Sequence, residues 1–99
     1  NYSGVWVSDL NTYASVTHKG NQVVIILMDT SSQTWQAYLG TVSNGIGVVR
    51  SVVSAVDAVY EVDFLSSSSV VARQISCVPE PGWLCALPDG AEITYIRVF

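Results

Sequence analysis

The sequence has few charged side chains, and this scarcity excludes several classes of function. Only 12% of the 99 residues are Asp, Glu, Lys or Arg, against about 25% in an average globular domain. The four basic residues are scattered singly along the chain, and the formal net charge is −4. Because neutralising phosphate groups takes a clustered basic surface, nucleic acid is not predicted as a partner.

Catalytic and metal-binding residue sets are also lacking. His18 is the only histidine, and no Gly-x-Ser-x-Gly elbow accompanies it, so nucleophilic hydrolysis is not predicted. Glu61 and Asp63 share one strand face, but they alternate with apolar residues as the solvated side of a strand does. Two cysteines and one distant histidine do not supply the four ligands of a zinc site. The sequence therefore predicts no catalytic residue, no metal and no cofactor.

No apolar run reaches the roughly 18 residues that a membrane-spanning helix requires, so no such helix is predicted. The longest run, Val23–Met28, consists mostly of β-branched residues and fits a strand covered on both faces. A polar turn over Asp29–Gln33 follows, then a second strand over Trp35–Ser43. Asn44-Gly45 is a strong two-residue hairpin signal, so the strand after it is predicted to pair with Trp35–Ser43.

The whole chain is predicted to be one all-β domain, residues 1–99, with a frayed end at residues 1–3. Its strands are short, and turn residues separate them at regular intervals. The prediction is a small antiparallel up-and-down β-barrel of about eight strands whose last strand closes against the first, with a β-sandwich as the alternative. The predicted strands are Gly4–Ser8, Tyr13–His18, Val23–Met28, Trp35–Ser43, Ile46–Ser54, Ala58–Leu65, Val70–Cys77 and Ala91–Phe99.

The two cysteines bracket a loop that turns back on itself. Cys77 and Cys85 enclose Val-Pro-Glu-Pro-Gly-Trp-Leu, and a disulfide across this loop is predicted; two free buried thiols are the alternative. A disulfide favours a secreted or periplasmic protein. Trp83 lies in this constrained loop, where it either contacts a partner or packs over the disulfide.

Two groups of apolar residues are candidate contact sites. In a barrel one face of Val23–Met28 looks outward, so Val24, Ile26 and Met28 predict a homodimer. The aromatic residues are predicted either to line a cavity for a small apolar ligand or simply to fill a small barrel. The candidates for ligand binding are Trp6, Trp35, Tyr60, Phe64 and Tyr95.

The start Gly4-Val5-Trp6 resembles the Gly-x-Trp start of lipocalins, avidins and related small barrels. In lipocalin-like barrels a late arginine packs across that tryptophan, a role that the resemblance gives to Arg97. The chain is also similar to small secreted bacterial β domains with a Trp and a following Gly after a polar turn, here Trp35 and Gly40, and an Arg-x-Phe end. This resemblance implies a β fold and a secreted location.

Three functions follow as hypotheses. The first is a non-enzymatic secreted recognition or assembly domain acting through its surface. The second is a small-molecule binder of the lipocalin or avidin type. The third is a periplasmic protease inhibitor, because small barrel inhibitors of bacterial metalloproteases share the Gly-x-Trp start, this length and one disulfide. In that case the rigid loop carrying Trp83 would contact the protease.

Overall fold

A computed structural model describes all residues from Asn1 to Phe99, and it consists of strands and turns without a helix. Its eight strands occupy nearly the segments that the sequence predicts. No helix of the chain is therefore long and apolar enough to cross a membrane. The strands are β1 Gly4–Ser8, β2 Thr12–Lys19, β3 Gln22–Asp29, β4 Thr34–Ser43, β5 Ile46–Val53, β6 Val56–Ser66, β7 Ser69–Pro79 and β8 Glu92–Arg97.

The strands form one closed antiparallel barrel in sequence order, β1 to β8. Closure comes from β1 against β8, where Trp6 lies opposite Arg97 and Ser8 opposite Tyr95. The predicted barrel is confirmed, and the sandwich alternative is wrong. Consecutive hairpins place every strand beside its sequence neighbour, and closing the sheet removes the two unpaired edges that a sandwich would leave.

Alternation along each strand divides the barrel into an inside and an outside. On β6, Ala58, Val62 and Phe64 are buried, while the acidic side chains between them face out, as the sequence pattern predicts. On β2, Ala14 and Val16 point inward in the same way. The buried apolar core comprises Trp6, Ala14, Val16, Val23, Ile25, Tyr38, Val42, Val49, Ala58, Val62, Phe64, Val70, Ala72 and Tyr95.

Arg97 closes the end of the barrel at which the two chain termini lie. Its guanidinium carbon lies 5.7 Å from the centre of the Trp6 ring, within cation–π range. This is the contact that the resemblance to lipocalin-like barrels implies. The guanidinium also donates to the carbonyl oxygens of Asn1, Ser3, Ser67 and Phe99. Arg97 therefore links both chain termini to the β6–β7 turn.

The first three residues are part of the fold, so the prediction of a frayed end is wrong. The Tyr2 backbone N–H donates to Nδ1 of His18 at 3.2 Å, and the His18 backbone N–H donates to Oγ of Ser3 at 2.8 Å. The Tyr2 ring stacks on Phe64 with 3.9 Å between ring centres. These contacts join residues 15 and more apart in sequence, which no local pattern reveals.

Gly40 permits the closest approach between β4 and β5. A Cβ atom at this position would overlap the carbonyl oxygen of Val48 and lie 2.8 Å from Cα of Val49. Both neighbours are backbone atoms and cannot move without displacing the strand. β4 runs through Gly40 to Ser43, the end that the sequence predicts.

Candidate functional site

The interior of the barrel is an apolar core with one small void. The void has a volume of about 60 Å³, and all of its lining residues are hydrophobic. Small-molecule sites usually measure about 300–1,000 Å³, and an engineered cavity that binds benzene is about 150 Å³. Of the predicted ligand-binding residues, Trp6, Tyr60, Phe64 and Tyr95 line this void. They are brought together, but around a space too small for a ligand of ordinary size.

Trp35 does not belong to this interior group. Its side chain is 57% exposed and faces outward from the start of β4, so the expectation that it lines the interior is wrong. β4 carries apolar residues on both of its faces, with Tyr38 and Val42 inward and Trp35 and Leu39 outward. When both faces of a strand are apolar, alternation separates the two sets but does not say which one is inside.

The phenol groups of three interior tyrosines are held neutral by burial. Desolvation raises the pKa of Tyr38, and the proximity of Tyr60 adds to this effect. Burial likewise raises the pKa of Tyr60 and of Tyr95. The Tyr60 hydroxyl donates to Oε1 of Gln74 at 3.0 Å, and the Tyr38 hydroxyl donates to Oε1 of Gln36 at 2.8 Å. These hydroxyls have structural partners, and none is placed beside a catalytic base.

The outer surface of β2 to β5 carries a continuous apolar area. Val24, Ile26 and Met28 face outward from β3, each between 37% and 40% exposed. Strand pairing places other apolar side chains beside them: Met28 lies between Tyr13 and Trp35, and Ile26 is flanked by Ala37. We call this surface the β3–β4 face. It consists of Tyr13, Val24, Ile26, Met28, Trp35, Ala37, Leu39 and Val53.

The eight residues of the β3–β4 face are uncharged, but Arg50 on β5 lies directly opposite Leu39 at its edge. Between Lys19 and Arg50 the only charged side chain is that of Asp29, at the end of β3. The Asp29 carboxylate accepts hydrogen bonds from Ser31, which lower its pKa. The sequence identified only the β3 part of this face; the pairing register adds residues from β2, β4 and β5.

The side of the barrel formed by β5, β6 and β7 adjoins the β3–β4 face and carries two ion pairs. Arg50 donates to both carboxylate oxygens of Asp57, at 2.9 and 2.7 Å, and this contact lowers the pKa of Asp57. Arg73 on β7 pairs with Glu61 on β6 at 2.9 Å. All four side chains are solvent-exposed, so each pair adds little stability. The charges do, however, make this side unlike the β3–β4 face.

The loop between β7 and β8 carries the predicted disulfide, and the alternative of free thiols is wrong. Cys77 and Cys85 are bonded, with 6.2 Å between their Cα atoms. Trp83 is 60% exposed and Leu84 is 87% exposed, so Trp83 projects from the loop instead of being buried over the disulfide. The loop lies at the end of the barrel opposite Arg97, because β7 and β8 run antiparallel between these two ends.

His18 is not arranged as a catalytic base. Its Nδ1 accepts the backbone N–H of Tyr2, and its ring stacks with Tyr2 at 5.2 Å. No three His, Cys, Asp or Glu side chains come together where they could hold a metal ion. No protein-family model, no curated protein and no solved structure matches this chain. The β3–β4 face is therefore the candidate functional site on the geometry alone.

Proposed function

We propose that this protein is a non-enzymatic recognition and assembly domain that forms a homodimer through the β3–β4 face. The observation that carries the proposal is the apolar surface on β3 and β4, which Tyr13 and Val53 extend onto the neighbouring strands. The cation at its edge, Arg50, is paired with Asp57. Large apolar patches on small proteins mark contact sites, because water contact with them is unfavourable.

A second copy of this chain is the partner that the charges favour. The net charge of −4 makes two copies repel each other at most orientations. In a two-fold dimer the β3–β4 face of one copy contacts the same face of the other copy. Because the residues of this face are uncharged, no like charges meet across the contact. An acidic or basic partner would gain no ion pair from this surface, whereas a second copy gains burial of Ile26 and its neighbours on both sides.

The size of the face sets the strength of the dimer. Four strands spaced about 4.8 Å apart, and three outward rows about 6.7 Å apart, give an area of about 400 Å² per copy. Stable interfaces bury about 800 Å² per partner, and weak transient ones bury less. We therefore expect a dimer that dissociates on dilution.

The dimer is tested by sedimentation velocity over a range of protein concentrations, with Ile26→Lys as the disrupting variant. A lysine on each face would bring two positive charges together in a desolvated contact, so this variant is expected to stay monomeric. Ile75→Lys on β7 is the matched control, because Ile75 is 45% exposed on the outer surface away from the face. If the parent protein is a monomer at every concentration, the homodimer is excluded.

We also infer a secreted or periplasmic location, since the Cys77–Cys85 disulfide persists in oxidising compartments. Trapping free thiols at the moment of cell lysis tests this: we expect no alkylated cysteine, whereas two alkylated cysteines would contradict it. Binding of a small apolar ligand inside the barrel has less support, because the void is only about 60 Å³. Protease inhibition has only the exposure of Trp83 in its favour.

A further inference from the structure

A second surface feature lies at the end of the barrel that Arg97 closes. It is an open basin of about 630 Å³, within the usual range for small-molecule sites. Three hairpin turns surround it, those between β2 and β3, β4 and β5, and β6 and β7, together with the first two residues. Its lining comprises Asn1, Tyr2, His18, Gly20, Asn21, Val42, Ser43, Asn44, Gly45, Phe64, Leu65, Ser66 and Ser67.

The lining of this basin is polar but uncharged. It includes three asparagines and three serines and no Asp, Glu, Lys or Arg. Arg97 already donates to four backbone carbonyl groups, and Lys19, although next to His18 and Gly20 in sequence, does not line the basin. An anionic ligand therefore meets no positive side chain in the lining. A wholly apolar ligand would strip water from these amides and hydroxyls without replacing the hydrogen bonds, which is unfavourable.

The apolar part of the lining is held rigidly. The rings of Tyr2 and Phe64 are within 11° of parallel, and those of Tyr2 and His18 are within 15°. Phe64 in turn packs edge-to-face against Trp6 at 5.5 Å. A ligand that contacts this group orders few side chains on binding, which lowers the entropic cost.

Hydrogen-bond donors and acceptors remain free around these rings. The side-chain amides of Asn21 and Asn44 make no hydrogen bond within the protein, and each offers both donors and an acceptor. The His18 ring accepts through Nδ1, so its ring proton is on Nε2, which is a further donor. Adjacent donors and acceptors match a ligand whose own polar groups both donate and accept hydrogen bonds.

We propose that this basin binds a neutral saccharide. A pyranose ring combines hydroxyls, which donate and accept hydrogen bonds, with patches of C–H groups that pack against aromatic rings. The amide-rich turns provide the hydrogen-bonding complement. The stack of His18, Tyr2 and Phe64 provides the apolar one through its ring edges and through His18, which lines the basin, because both faces of the Tyr2 ring are already covered. The uncharged lining selects against sugar acids and phosphates. The site is on a different part of the barrel from the β3–β4 face, so it does not depend on the homodimer.

The test is a titration of the ¹⁵N-labelled protein followed by amide chemical shifts. The probes are glucose, galactose, mannose and N-acetylglucosamine at millimolar concentrations, with N-acetylneuraminic acid as the anionic comparison. For at least one neutral sugar we expect saturable shifts that cluster at Tyr2, Gly20, Gly45 and Ser67. The anionic sugar is expected to give none.

Asn44→Gly and Asn11→Gly form a matched pair of variants for this experiment. Both asparagines have positive φ, 55° and 61°, so glycine fits either backbone without strain. Only Asn44 lines the basin, since Asn11 is in the β1–β2 turn at the opposite end. Asn44→Gly should weaken binding about fivefold, the factor that one net hydrogen bond contributes, and Asn11→Gly should leave it unchanged. Asn21→Ala provides a second basin variant.

Three outcomes would overturn the proposal. The first is the absence of saturable shifts with all four neutral sugars. The second is a cluster of shifts around the exposed Trp35 or Trp83 instead of the basin. The third is equal weakening by Asn44→Gly and Asn11→Gly, which would mean that the asparagine side chain in the basin does not contact the sugar.

Discussion

Among single residues, Gly40 is a position at which the fold leaves no room for a side chain. Its Cα faces the Val48 carbonyl and Cα of Val49 so closely that any Cβ collides with backbone. We expect Gly40→Ala to lower the free energy of unfolding by about 3 kcal/mol or more, because overpacking against backbone forces strand displacement. Urea denaturation followed by tryptophan fluorescence measures this change.

Gly20→Ala is the comparison for that variant. Gly20 has φ near 60°, but nothing lies within 4 Å of the added methyl group. Gly20→Ala is therefore expected to lower the free energy of unfolding only by the strain of an alanine in a left-handed backbone conformation, about 1–2 kcal/mol. If Gly40→Ala and Gly20→Ala lower the free energy of unfolding equally, β4 and β5 have room for a methyl group between them, which would contradict the close contact at Gly40.

The buried tyrosines predict the response of the protein to alkaline pH. Burial raises the pKa of Tyr38, Tyr60 and Tyr95 in the folded state. The free energy of unfolding is therefore unaffected by these groups below the ordinary phenol pKa of about 10, and it falls above that pH because the unfolded chain ionises first. Phenolate absorbance should therefore show Tyr38, Tyr60 and Tyr95 ionising only as the barrel unfolds. Ionisation of all five before any loss of near-ultraviolet circular dichroism would contradict this.

The strands illustrate what sequence patterning predicts and where it stops. Alternation on β6 predicts Ala58, Val62 and Phe64 inside, which is correct, because Glu61 and Asp63 identify the opposite face as the solvated one. On β4 no charged residue distinguishes the two apolar faces, and the prediction for Trp35 is wrong. The basin could not be predicted, because Asn21, Asn44 and Ser67 come from three turns that only the closed barrel brings together.

At the level of elements, the β7–β8 loop is held by the Cys77–Cys85 bond and by Gln74, whose side-chain amide donates to the Leu87 carbonyl oxygen and the Asp89 carboxylate. Cys77 and Cys85 are eight residues apart, and a link across so short a loop contributes about 2–3 kcal/mol through the entropy of the unfolded chain. Replacing both cysteines with serine should lower the free energy of unfolding by that amount. The barrel itself should persist, because β7 is still paired with β6 and β8.

Hydrogen exchange distinguishes the loop from the barrel in this double variant. Amides of residues 80–90 should exchange faster than in the parent protein, while those of β2 and β3 keep their protection. Loss of protection throughout the sheet would mean that the disulfide is needed for the barrel and not only for the loop.

For the molecule as a whole, the arrangement of charge separates two functional surfaces. The side of the barrel formed by β5, β6 and β7 carries the exposed Arg50–Asp57 and Arg73–Glu61 pairs, whereas the residues of the adjoining β3–β4 face are uncharged. The polar basin is at one end of the barrel. Dimerisation through the β3–β4 face would leave the basin open, so two copies would present two saccharide sites and gain avidity on a surface with many identical sugars.

The closure of β1 against β8 also determines the order in which the chain can fold. Seven of the eight strand pairings join neighbours in sequence, but Trp6 and Arg97 must meet across almost the whole chain. Such distant pairing is slow, because chain entropy is lost before the contact is made. During synthesis β1 therefore keeps an unpaired edge until β8 has emerged, and in that interval the nascent sheet is most exposed to joining another chain edge to edge.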